Sequence, residues 1–251
     1  MPTPWSNDIT RSPPMPRPGV PGFALRPALP LQGVTVLAVE DSRYACEALR
    51  LMCQRAGARL RRAETLALAR SHLRVYRPDV VIIDLGLPDG RGESLIAELV
   101  RTAQRPMAIL GTSGDVLGCA RAMDAGADGF LEKPYATAAS FYAALLAHLP
   151  DAATTSYPLG ETAISPDPLA LHDDLVLAAR RLAGDLDATQ RGYLAGFLSG
   201  IADHSNDGAL AHAAALARAP ATGDADRGFR QLRDIVRDRL AGQTNVMARP
   251  V

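Results

Sequence analysis

Six positions combine side chains that can act together: Glu40 with Asp41, Asp84, Thr112 with Ser113, and Lys133. Each group directly follows or closes a short apolar run, namely Val34–Val39, Val80–Ile83, Met107–Gly111 and 128–132. If those runs are parallel strands of one open sheet, their carboxyl ends share an edge, and ligands bind at that edge where the strand order reverses. Three carboxylates brought together there repel, which raises at least one pKa unless a cation offsets the charge. A hard divalent ion is the natural partner, since Mg2+ prefers a few carboxylates, a carbonyl and several waters.

The ammonium stands out on composition. Of 27 basic residues, Lys133 is the single Lys and the other 26 are Arg. Where Arg serves as the general positive charge, one retained Lys marks a place that needs a compact point charge rather than a planar fork. Balanced by 27 acidic residues, the bases give a formal charge of zero, so no global attraction to nucleic acid or membrane follows. The length and the 47% hydrophobic fraction suit one large or two modest domains with a real core. Cys46, Cys53 and Cys119 lack metal or disulfide spacing and fit a reducing compartment. No apolar run nears the roughly 18 residues that a spanning helix requires, and the start lacks a signal pattern. A cytoplasmic location is expected.

The elements that must position these groups follow from the alternation. The strand at Val34–Val39 leads to a helix stopping at Gly57, and a short Arg-rich strand at Arg59–Ala63 leads to a helix from Leu66 to Tyr76. The strand at Val80–Ile83 precedes a helix from Leu95 to Thr102, and the strand at Met107–Gly111 a helix from Val116 to Ala125. A last strand at 128–132 is followed by a helix from Thr137 to Leu149. Five strands interleaved with five helices predict an α/β, parallel, doubly wound sheet. Nine of 19 prolines fall in the first thirty residues, so residues 1–31 are expected to form an extended tail, with Met15 an alternative initiator. Residues 150–168 read as a linker, 169–243 as an all-α domain of about four helices, and 244–251 as a frayed tail.

At the sheet edge the sequence resembles the receiver domain of two-component response regulators. The matching pieces are Glu40-Asp41, Asp84 with Leu87-Pro88-Asp89-Gly90, Thr112-Ser113, and the string Gly126-Ala127-Asp128-Gly129-Phe130-Leu131-Glu132-Lys133-Pro134. Their order and strand context agree over residues 32–149, and the resemblance implies a five-stranded flavodoxin-like fold. Simpler readings exist one by one: Asp41 or Ser42 as helix caps, Lys133 as a surface residue, Phe130 as core. Together they fit the pattern less well.

The resemblance implies roles. Asp84 would accept a phosphoryl group from a sensor histidine kinase or phosphotransfer protein. Mg2+ would be held by Asp84, Asp41 and the Gly86 carbonyl, with Glu40 acting through water. Lys133 would bind the phosphoryl oxygens, Thr112 would donate its hydroxyl, and Thr112 and Phe130 would form the switch. A cis bond before Pro134 is implied as well. Two departures matter: the first acid is Glu rather than the commoner Asp, and Thr112-Ser113 lies one residue nearer the Lys than usual. Thr112 is preferred for the switch, with Ser113 the alternative. Gly86 and Gly114 are expected to flank the phosphoryl group without side chains.

The all-α region carries no recognisable DNA-binding, ATPase or nucleotide-cyclising motif. From Asp151 onward it has ten Arg against thirteen acidic residues, which disfavours a phosphate-backbone reader. Gly192, Gly196 and Gly200 fall on one stripe and predict a close helix approach, within the module or to another subunit. The expected function is a signalling regulator, not an enzyme, whose helices bind a protein partner or form a homodimer. The alternative is a relay or phosphatase protein with phosphotransfer at His172, a residue more simply read as a solvated His near a helix start.

Overall fold

The computed structural model describes residues 29–135, 137–149, 164–220 and 222–247. Most of the expected proline-rich tail and linker, and residues 248–251, lie outside them. The chain opens with β1 (Thr35–Val39), α1 (Arg43–Ala56), β2 (Arg59–Ala63), α2 (Leu66–Val75) and β3 (Val80–Asp84). A small hairpin of β4 (Gly86–Leu87) and β5 (Gly90–Arg91) then leads into α3 (Gly92–Val100). β6 (Ala108–Ser113), α4 (Gly118–Asp124), β7 (Gly129–Glu132) and α5 (Ala138–Leu146) complete the first unit.

The strand order is β2-β1-β3-β6-β7, with every neighbour parallel. Order reverses between β1 and β3, so Glu40 and Asp84 leave the sheet on either side of the switch point. β3 is buried along its whole length because helices cover both faces of the sheet. Val36, Ala38, Val80 and Ile82 face the α1 and α5 side, while Leu37, Val39, Val81 and Ile83 face the other. α1 ends as the sequence implies, with Gly57 in the left-handed region at φ 84°.

The second unit is helical. α6 (Pro168–Leu182) starts with Asp167 as N-cap and Pro168 in its first turn, α7 (Ala188–Ser205) starts with an Asp187–Gln190 capping box, and α8 (Gly208–Ala217) and α9 (Thr222–Met247) follow. α9 thus continues past Gln243, where the sequence reading placed a frayed end. The four helices share a core that includes Leu175, Leu194, Leu198, Ile201, Leu210, Phe229 and Leu232.

The glycine expectation is corrected here. Among the described residues, a Cβ at Gly192, Gly196 or Gly200 would meet nothing within 4 Å, so no described helix packs on that stripe. The close crossing is at Gly228 of α9, where a Cβ would lie 2.3 Å from the Ala217 backbone nitrogen. Substitution should separate the two cases in thermal melts. Gly196→Ala is expected to stabilise by about 1 kcal/mol through helix propensity. Gly228→Ala is expected to destabilise by roughly 1–3 kcal/mol through overpacking.

Candidate functional site

The strand ends converge as their register requires. Asp84 and Thr112 are paired positions of β3 and β6, and Ser113 pairs with Glu132, next to Lys133. Glu40, Asp41 and Asp84 offer carboxylate oxygens that all lie within 4.8 Å of one another, and all three are buried. Lys133 Nζ donates to Asp84 Oδ2 at 2.9 Å. It also lies 2.6 Å from Glu40 Oε2, a buried ion pair. The Gly86 amide donates to Asp84 Oδ1 at 3.2 Å, and the Ser42 amide to Glu40 Oε1 at 3.2 Å. Asp89, the other acid of the hairpin loop, accepts instead from the Leu66 and Ala67 amides and so caps α2.

Burial and neighbouring charge set the protonation. Burial pushes Glu40 up to about 8; Lys133 opposes the shift, and Asp84 and Asp41 add to it. Asp41 is pushed up to about 7 by burial and then by Asp84, with the Tyr193 hydroxyl pulling the other way. Burial pulls the Lys133 ammonium down, but Asp84 and Glu40 more than reverse this and hold it well above its ordinary value. One buried ammonium against three carboxylates leaves excess negative charge. These oxygens therefore fit a hard divalent cation such as Mg2+, with Asp41, Asp84 and Glu40 as the residues that would hold it.

Thr112 and Gly114 have surroundings that the sequence did not suggest, whereas Gly86 and the bond before Pro134 are as expected. The fully buried Thr112 hydroxyl donates to the Leu131 carbonyl at 2.7 Å and lies 3.4 Å from the Tyr135 hydroxyl. Ser113, the alternative, is the one that lines the cavity over Asp84. Phe130 is half-buried beneath α4, and the glycines beside it leave it room: a Cβ at Gly118 would lie 3.1 Å from its Cζ. The Lys133–Pro134 bond is cis. Gly86 is open, with nothing within 4 Å of an added Cβ, but Gly114 is not, because Asp203 Oδ2 would lie 3.0 Å away. α7 supplies that carboxylate, which no pattern around Gly114 could announce.

Other contributors were missed. Arg62 of β2 donates to the backbone carbonyls of Glu40 at 3.1 Å and Asp41 at 2.6 Å, fixing the acidic turn from the edge strand. The Arg-rich β2 sequence was the available signal. Asp174 of α6 accepts from Ser42 Oγ at 2.8 Å and from the Arg43 and Tyr44 amides at 2.9 and 3.0 Å, so the helical unit caps α1. Tyr193 of α7 donates its hydroxyl to Asp41 Oδ2. Tyr135 meets His204 of α7 edge to face at 5.0 Å, and burial, then Lys133, push that imidazole down to about 4. His172 lies on α6 and is not among the residues lining the cavity. The cavity, about 780 Å3, is floored by Glu40, Asp41, Asp84 and Lys133 and faced by Gly192, Gly196 and Gly200.

Residues 36–144 match the response regulator receiver domain family. The KDP operon transcriptional regulatory protein KdpE of Escherichia coli (strain K12) is 35% identical over 150 residues, 58% of this chain and 61% of that protein. The transcriptional regulatory protein PhoP of Escherichia coli (strain K12) is 34% identical over 101 residues, 40% of this chain and 45% of that protein. The chain therefore spans at most about three fifths of these curated relatives. Among solved structures, the chemotaxis response regulator CheY4 of Vibrio cholerae aligns with 46% of this chain and 98% of its own, at 24% identity and a TM-score of 0.43.

Charge gives a pH test. Glu40 and Asp41 sit at about 8 and about 7, above their ordinary 4.5 and 3.8, so the folded state keeps protons that the unfolded chain has shed. Their contribution to stability is full below the ordinary values and is lost as pH climbs towards 7 to 8. A divalent cation held by these carboxylates would replace those protons. Added Mg2+ is thus expected to raise the melting temperature more at about pH 9 than at about pH 5, where protonated carboxyls compete with it. An equal shift at both would count against the site.

Proposed function

We propose, from the match of residues 36–144 to the response regulator receiver domain family, that the chain is a phosphorelay regulator using Asp84 as phosphoacceptor. The observation that carries this reading is the Lys133 ammonium set against Asp84 and Glu40, with Asp41 alongside. Asp84 attacks the phosphorus of a phosphohistidine on a sensor kinase or phosphotransfer protein. A phosphorus–oxygen bond forms, the phosphorus–nitrogen bond breaks, and the imidazole takes the electron pair. Lys133 then pairs with the phosphoryl oxygens in place of the free carboxylate, and Ser113 in the cavity lining is the near hydroxyl. When bound, Mg2+ supplies charge neutralisation for the transferring group.

The switch expected of Thr112 and Phe130 works in this reading through packing. Thr112 reaches Tyr135, and Tyr135 packs on His204 of α7, so a shift of the hydroxyl is felt by the helical unit. α6–α9 form the output, an interaction or dimerisation module in the cytoplasm. Among the described residues no helix is long and apolar enough to cross a membrane. The names of the curated relatives favour a second reading, transcriptional regulation. Ten Arg against thirteen acids from Asp151 onward, and no strand there among the described residues, weigh toward a protein partner.

Incubation of the full chain with phosphoramidate and Mg2+ should add one phosphoryl group, mapped to Asp84 by borohydride trapping and mass spectrometry. Asp84→Asn is expected to lose it entirely. Labelling that persists at the wild-type level in this variant would remove the assignment.

A further inference from the structure

Tyr193 is held before it reaches the acids. Its ring stacks on Phe197 at 6.0 Å and 26°, and the Arg181 guanidinium carbon lies 4.9 Å from the ring centroid on α6's side. The packing aims the hydroxyl, which donates to Asp41 Oδ2. α6 and α7 are fastened around this contact by the Asp174 cap on α1, and the end of α8 by the Arg218–Asp115 ion pair at 3.3 Å.

Further along α7, Gly196 and Gly200 face the same cavity with nothing within 4 Å of their added Cβ atoms. The helix therefore touches a would-be metal ligand at one point and stands clear of the acceptor at the next. The space, about 780 Å3, is ample for an ion, its waters and a phosphoryl group, since a water takes about 30 Å3.

We propose that α7 completes the acceptor site in cis: Tyr193 is a positioning residue that orients the metal ligand Asp41, and the bare glycine stripe is the ceiling of the chamber holding the phosphoryl group. This rests on the reading of Asp84 as phosphoacceptor with Mg2+. A ligating carboxylate commonly has its other oxygen hydrogen-bonded, which fixes its orientation and raises metal affinity. In this chain the donor comes from a helical unit more than a hundred residues away in sequence, so metal affinity reports whether that unit is docked.

Calorimetric titration of the full chain with Mg2+, and then with beryllofluoride in saturating Mg2+, tests the proposal. Tyr193→Phe keeps the ring packing and should still fold and melt cooperatively, somewhat below the wild type for its lost hydrogen bond, yet bind Mg2+ about tenfold more weakly or worse. Gly196→Leu places a side chain in the empty chamber. It should leave Mg2+ binding unchanged and abolish beryllofluoride binding. Wild-type Mg2+ affinity in Tyr193→Phe, or wild-type beryllofluoride binding in Gly196→Leu, would overturn the proposal. A wild-type chain that binds neither probe would instead remove the acceptor reading on which it rests.

Discussion

Three buried carboxylates around one ammonium set the terms for the rest of the molecule. Glu40, Asp41 and Asp84 crowd together at the switch point of a parallel sheet, where burial strengthens their repulsion. Lys133 offsets part of that charge by reaching Asp84 and Glu40 at once. The charge that remains favours protons on Glu40 and Asp41 and suits a divalent cation in their place. The fold serves this arrangement. Arg62 pins the acidic turn, the Gly86 amide steadies Asp84, and the cis bond at Pro134 follows directly on Lys133.

The helical unit answers the same constraint from outside the sheet. Asp174 finds the N-terminus of α1, where its carboxylate collects two amides and a hydroxyl, and Tyr193 offers a donor to Asp41. A negative group on the positive end of α1 and a neutral donor on a crowded carboxylate are complementary contacts, one satisfying amides and the other an anion. They dock α6 and α7 over the strand ends while the glycines of α7 leave room above Asp84. Tyr135 and His204 add an aromatic contact from the last sheet strand's exit to the same helix. Asp84 and the helical unit are thereby physically adjacent.

The receiver was legible in the sequence because its determinants are local. Apolar runs ending in Glu40, Asp84 and Lys133 announce both the strands and the edge they share, and Gly57 announces a helix end. Thr112 and Ser113 were harder. Neighbours on a strand point to opposite faces, so a shift of one residue decides which hydroxyl lines the cavity. The helical unit's helices were visible from their periodicity, but its docking was not. Nothing near Tyr193 or Asp174 marks a partner well over a hundred residues earlier in the chain. The glycine stripe misled for the same reason: spacing shows that a helix face is bare, and only the tertiary structure shows that it faces a cavity, while Gly228 makes the close crossing.

The proposed phosphoryl site depends on a compact charge at Lys133, the single Lys among 27 basic residues. The direct measurement is a titration of beryllofluoride, in saturating Mg2+, into the wild type and into Lys133→Arg. Binding is expected to be at least about tenfold weaker in the variant, because the larger planar guanidinium preserves the charge but does not fit the buried space that the ammonium occupies between Asp84 and Glu40. Equal affinity in the two proteins would contradict it.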